Sequence, residues 1–191
     1  CFPAAATYHY TGKPLLSWRV SLLPFLGEAK LYEQFHLNEP WESEHNRKLI
    51  EQMPNVYHSP NSNLHEKGMT NYVVPVGQPL QTAFYQRAGI RLWDIKDGTS
   101  QTIMAVEVKD EHAVTWTKPQ DLAFDREQPA RGLAGPVRES VVLLLFDGTA
   151  GTFKINDIEI LRGLFTPALG EATSSGKGYE TIDHVPSRVR W

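Results

Sequence analysis

The sequence predicts an α+β domain, with N-terminal helices packed on an antiparallel sheet and a helix closing the chain. Three observations carry this. Trp18, Leu22 and Phe25 recur at helical spacing near the start. Residues 141–146 and 149–155 are strand-like runs flanking Asp147-Gly148, the signature of a hairpin. Asn156-Asp157-Ile158-Glu159 then reads as an N-cap with an acidic residue three positions on. Helices come first and strands follow, without the alternation of an α/β fold.

Taken in order, residues 1–14 read as loop, ending in the turn Thr11-Gly12-Lys13-Pro14. Ser17 caps a helix whose apolar face holds Trp18, Leu22 and Phe25. Leu23, Leu26 and Lys30 lie further round. Pro24 opens a second segment, 25–35, with Leu26, Leu31, Tyr32 and Phe35 as its apolar set. Asn38-Glu39-Pro40-Trp41 is a turn, and Ser43 caps a helix to Gln52 with Glu44 near its positive end. Leu49, Ile50 and Met53 form the buried edge, and Met53-Pro54 stops it. Residues 54–71 read as loop.

Residues 72–76 are β-like, but Pro75 restricts them to an edge. Residues 103–108 and 113–117 are strands. Residues 118–139 form a long irregular connection, of the kind that often carries function. In the final hairpin, Asp147-Gly148 suits a type I′ turn. Its first strand is apolar on both faces and is expected to be central and covered on both sides. The closing helix ends before Pro167. The expected division is one domain over 1–170 and a flexible tail over 171–191, poorly ordered unless Trp191 docks.

Composition narrows the function classes. The chain has 191 residues, 41% of them hydrophobic, and a net charge of −3. That excludes a disorder-like charge excess and gives no bulk electrostatic basis for binding nucleic acid. One cysteine excludes an intrachain disulfide framework and a Cys-rich zinc site. No run approaches 18 apolar residues. The start at Cys1-Phe2-Pro3 reads as a cut from a longer polypeptide, and the sharper alternative is a mature lipoprotein with lipid on Cys1.

Chemical candidates are few. None of the seven histidines has the i, i+4 spacing of a helical metal site. His58 and His65 flank a loop holding Asn61 and Asn63, where solvated histidines are preferred to a metal. Asp94-x-x-Asp97-Gly98-Thr99 is an incomplete calcium loop, and a tight turn at Asp97-Gly98-Thr99-Ser100 is the preferred reading. Glu107, Asp110, Glu111 and His112 could be drawn as an acid/base set, with Glu107 inward on its strand or on a solvated face. There is no Gly-x-Ser-x-Gly elbow and no phosphate loop, and Cys1 is poorly placed for a nucleophile. The five tryptophans suit core packing by default, and stacking on sugar rings as the alternative.

Lys13-Pro14-Leu15-Leu16-Ser17-Trp18-Arg19-Val20, with Leu22-Leu23-Pro24-Phe25-Leu26, resembles the "GKPLLSWRVLLLPYLEQ" block of a planctomycete family, DUF1559. Further blocks in order are 31–41, 45–49, 70–72, 97–103, 106–108 and 114–119. Leu145-Phe146-Asp147-Gly148-Thr149 matches its "LFADGSVRF" hairpin, and Phe2-Pro3-Ala4-Ala5 its "FPPA". Departures are Val137 where the family often has histidine, a more apolar hairpin strand, and Ser59-Pro60-Asn61 for Cys-Pro-Ser. The last removes a cysteine that could serve as a disulfide partner.

The resemblance implies a pilin-like head outside the membrane, preceded by a hydrophobic helix of prepilin type, with no enzymatic activity. It implies that Trp18, Arg19, Pro40, Trp41, Asp97, Gly98, Thr99, Glu107, Asp147 and Gly148 are family-motif residues with structural roles. The expected function is a non-catalytic, extracytoplasmic, pseudopilin-like head acting in assembly or surface interaction, at the periplasm or cell surface. The alternative is a solute- or glycan-binding module of the cell envelope. Partners are expected to be proteins or further copies of the chain, with glycan as the alternative and nucleic acid excluded. Membrane contact would come only through a missing helix or a lipid. No cofactor is expected, calcium at Asp94 and Asp97 being the one metal candidate.

Overall fold

A computed structural model describes residues 2–79, 81–84, 89–135, 140–155, 157–168 and 179–184. The chain opens with a hairpin, β1 (Ala6–Tyr8) against β2 (Pro14–Ser17), where the sequence reads as loop. Gly12, at φ +88°, donates its N–H to the His9 carbonyl to close the turn. Strands of three and four residues leave too short an alternation to see, and burial of Ala6, Leu15 and Leu16 makes this pair.

Helix α1 (Trp18–Leu22) begins where Ser17 predicts it, with the Ser17 hydroxyl accepting from the Arg19 N–H. Pro24 stands in a 3₁₀ turn, Leu23–Leu26, ended by left-handed Gly27 at φ +81°. That break reduces the expected 25–35 segment to the short α2 (Ala29–Tyr32). It also moves Phe25 off the buried face. A 3₁₀ turn advances about 120° per residue rather than 100°, so Leu23 is buried and Phe25 is 82% exposed. The Ser43 hydroxyl accepts from the Asn46 N–H, but the element there, Asn46–Gln52, is 3₁₀ and its N-cap is His45, not Ser43.

The main sheet is antiparallel throughout. It contains β4 (Tyr72–Val73), β6 (Ile103–Glu107), β9 (Ser140–Leu145), β10 (Ala150–Ile155) and β11 (Tyr179–His184), in the order β11-β10-β9-β6-β4. Two small pairs flank it. β3 (Met69–Thr70) runs antiparallel to β7 (Val114–Thr115), and β5 (Pro75–Val76) runs parallel to β8 (Leu122–Ala123). Within the stretch read from sequence as a tail, 179–184 forms one of the sheet's two edge strands, β4 being the other. Trp191 and the rest of 171–191 lie outside the described residues, as do Cys1 and Val137.

Strand β9 is central, as expected, but covered differently on its two faces. Val141, Leu143 and Leu145 are buried with Phe153 and with Leu161, Leu164 and Phe165 of α3 (Ile158–Phe165), while Val142 and Leu144 stay half-buried. Apolar residues on both faces do not by themselves supply a second covering layer. The hairpin turn is the three-residue form rather than type I′. Gly148 donates to the Leu145 carbonyl across Phe146 and Asp147, with Gly148 alone needed in the left-handed region, at φ +89°. Asp157, one residue later than read from sequence, caps α3 by accepting from the Glu159 N–H.

A second core fills the N-terminal half around Trp116, which is fully buried. Phe35 meets its ring edge-on at 5.8 Å and Tyr57 stacks at 6.0 Å. Burying side chains of this size contributes about 1.5–3 kcal/mol each.

Candidate functional site

The most enclosed polar cluster centres on Arg19. A helix beginning Trp-Arg-Val with its apolar face inward carries the guanidinium into the interior, where it needs a full set of acceptors. Nε and Nη2 donate to the Tyr72 carbonyl at 3.0 and 2.6 Å. Nη1 donates to the Ser17 hydroxyl at 2.7 Å, and Nη2 to Asp121 Oδ1 at 2.8 Å. The guanidinium carbon lies 4.6 Å from the Trp18 ring centroid. Asp121 Oδ1 also accepts from the Trp18 indole at 3.1 Å and the Val74 N–H at 3.0 Å. Burial pushes the Asp121 carboxyl upward, against the pull of Arg19. Sequence reasoning missed Asp121; a buried arginine's need for an anion was the one available signal.

Glu107 points inward on β6 and is buried. It accepts from the Ser59 hydroxyl at 2.5 Å and from Asn61 Nδ2 at 3.4 Å. Burial, and secondarily Glu107, push the neighbouring Tyr72 phenol up to about 12. The acid/base set drawn from sequence is divided among separate partners. Asp110 accepts from Asn71 Nδ2 at 2.8 Å, and hydrogen bonds from Asn71 and Ser62 hold its carboxyl below the usual range. Glu111 and His112 pair at 3.6 Å.

The two Asp-Gly motifs meet. Gly98, at φ +96°, leads into the turn Thr99–Gln101. The Asp147 N–H donates to the Thr99 carbonyl, and the Phe146 N–H to the Thr102 carbonyl, both at 3.1 Å. Asp94 is engaged elsewhere, since Arg91 Nε and Nη2 donate to its carboxylate at 2.9 and 3.3 Å. That contact holds the Asp94 carboxyl below its ordinary value. Among the described residues, no group of three or more His, Cys, Asp or Glu is placed to hold a metal.

The Trp41 backbone N–H donates to the Leu15 carbonyl at 2.9 Å, and Lys118 lies over its ring at 5.6 Å. The Pro40 carbonyl accepts from the buried Asn46 amide, which also bonds His36 and Glu39. His36 stacks on His45 at 3.6 Å, and His58 on His65 at 4.4 Å. The second pair spans the loop in which solvated histidines were expected, and both rings are half-buried.

Two surface features stand apart from these bonds. An open groove of about 770 Å³ lies between Lys109, His112, Gln128, Arg131 and Ile158, and part of the 118–139 connection forms one wall. Trp93, in a 3₁₀ turn Leu92–Asp94, is 67% exposed.

Fold and site together define an α+β domain whose polar motif residues fasten one element to another. A family model described as "Protein of unknown function (DUF1559)" matches residues 1–181, and the chain belongs to that family. No curated protein and no solved structure matches it.

Proposed function

We propose that this chain is the non-catalytic, extracytoplasmic head of a pseudopilin-like protein and works by assembly or surface interaction. The observation that carries the reading is the internal engagement of the polar residues in the family blocks. Arg19 makes four hydrogen bonds to its own fold, Glu107 anchors the 59–61 loop, and Asp147 joins the two Asp-Gly turns. Tyr10, 93% exposed at a hairpin tip, and Phe25, 82% exposed, offer aromatic contacts to a partner.

The test is fractionation of the full gene product in its host, with a photo-crosslinking residue at position 25. Envelope association and crosslinks to an envelope protein or a second copy are expected. A monomeric, unprocessed cytoplasmic protein without crosslinks would overturn the reading. A second reading, a solute- or glycan-binding module of the envelope, is favoured by the polar groove and by Trp93.

A further inference from the structure

We infer that Trp93 is a stacking platform for a pyranose ring of a glycan, with Arg91, Asp94 and Lys96 as its polar collar. The inference rests on the second reading above, not on the first. The backbone under the ring is fixed. Ile90 and Ile95 are both buried in the core and bracket the turn. Asp94 and Ile95 donate their N–H groups back to Arg91 and Leu92, at 2.9 and 3.2 Å. Beyond the turn, the N–H groups of Lys96 and Asp97 both donate to the Pro167 carbonyl. An aromatic held this way loses little conformational freedom when a ligand docks.

The ring is presented, not merely uncovered. Arg91 lies 5.0 Å from the indole centroid, with two hydrogen bonds to Asp94, and Lys96 Nζ donates to the Trp93 carbonyl at 2.8 Å. The π face of an aromatic is electron-rich, and the C–H bonds on one side of a pyranose carry the complementary charge. Arg91 has five N–H donors, of which Asp94 takes two, so donors remain for ring hydroxyls. Charged groups border the ring, Arg91 against its face and Asp94 and Lys96 on the same turn, and they supply hydrogen-bonding groups for sugar hydroxyls.

The test titrates the ¹⁵N-labelled chain with soluble neutral hexose, N-acetylhexosamine and uronic acid oligosaccharides. The readouts are the Trp93 indole N–H resonance, assigned with W93F, and the backbone amide shifts of the same turn, which also report on variants without the indole. A saturable shift with at least one sugar class is expected. W93A should weaken binding roughly tenfold or more, W93F less, since a stacking ring survives. R91K should weaken it by a smaller factor with circular dichroism unchanged. Salt-sensitive binding restricted to the uronic series would assign an acidic sugar, and salt-insensitive binding a neutral one. An unmoved Trp93 signal across the panel, or affinity that survives W93A, overturns the assignment. Shifts at His112 in place of Trp93 would do the same while leaving the solute-binding reading intact through the groove. A protein captured through Trp93 with no sugar response would reassign the patch as a protein contact.

Discussion

Arg19 and Asp121, 102 residues apart in sequence, form an ion pair at 2.8 Å with side chains 0% and 2% exposed. It joins α1 to the connection after β7 and, through the Tyr72 carbonyl, to the edge of the main sheet. Breaking one side of such a pair leaves a buried charge without a partner, so D121A is expected to cost about 3–5 kcal/mol. Removing both charges in R19M/D121A should not restore stability. The Trp18 indole and the Val74 N–H would remain buried without their acceptor, at about 1–3 kcal/mol each. Urea denaturation measures both variants. A D121A midpoint equal to wild type would refute the structural role.

Gly68 and Gly148 separate backbone strain from collision. Both have positive φ, +64° and +89°. At Gly148 a Cβ meets nothing within 4 Å, so G148A should cost only the left-handed strain, about 1–2 kcal/mol. At Gly68 a Cβ would fall 2.2 Å from Ile50 Cγ2 and 2.9 Å from the Ile50 carbonyl, which accepts the Trp116 indole. G68A should lose clearly more stability and shift tryptophan fluorescence, whereas G148A should leave the spectrum unchanged.

Tyr72 should ionise well above the ordinary tyrosine value, at about 12. Burial is the larger cause, so E107Q should lower its pKa from about 12 without returning it to 10.0. The folded value lies above the ordinary one. The stability tied to the neutral phenol is therefore intact below pH 10.0 and lost as pH rises through about 12. Phenolate absorbance against pH, wild type against E107Q, reads this directly, and superimposable curves would contradict it.

Asp110 behaves in the opposite sense. Hydrogen bonds from Asn71 and Ser62 lower its pKa below 3.8, so its contribution is present above that value and lost as pH falls through the folded one. The melting-temperature gap between wild type and D110N should narrow as pH falls through this range. A gap that stays constant there would show that the carboxylate contributes nothing.

Much of the fold was legible from local signals. Ser17, Pro24, the Asp147-Gly148 turn and the cap of α3 act on a few neighbouring residues, so a short window of sequence holds their physics. The central place of β9 was also readable from its apolar run. What was missed is non-local. The parallel pairing of Pro75–Val76 with Leu122–Ala123 and the Arg19–Asp121 contact each depend on where a distant segment is delivered. Phe25 was misplaced because the 3₁₀ turn Leu23–Leu26 advances about 120° per residue rather than 100°, which shifts the angular phase before the chain reaches it.

For the candidate site, the blocks carrying Trp18, Arg19, Glu107 and Asp147 were legible as motifs, but their hydrogen-bond partners were not. Asp94, which with Asp97 suggested one cation from sequence, is engaged by Arg91, a contact that sequence adjacency does not reveal. Trp93 looked like any other tryptophan until burial was known: Trp116 is fully buried and Trp93 is 67% exposed.

By itself, then, the sequence determined the α+β class, the capped helices, the final hairpin and the family, because propensity, turn chemistry and motif order are properties of contiguous residues. Only the tertiary structure decided which charges neutralise each other, which aromatic faces solvent and which strand forms the sheet edge. Those outcomes depend on distances between segments that the chain brings together only when the core excludes water.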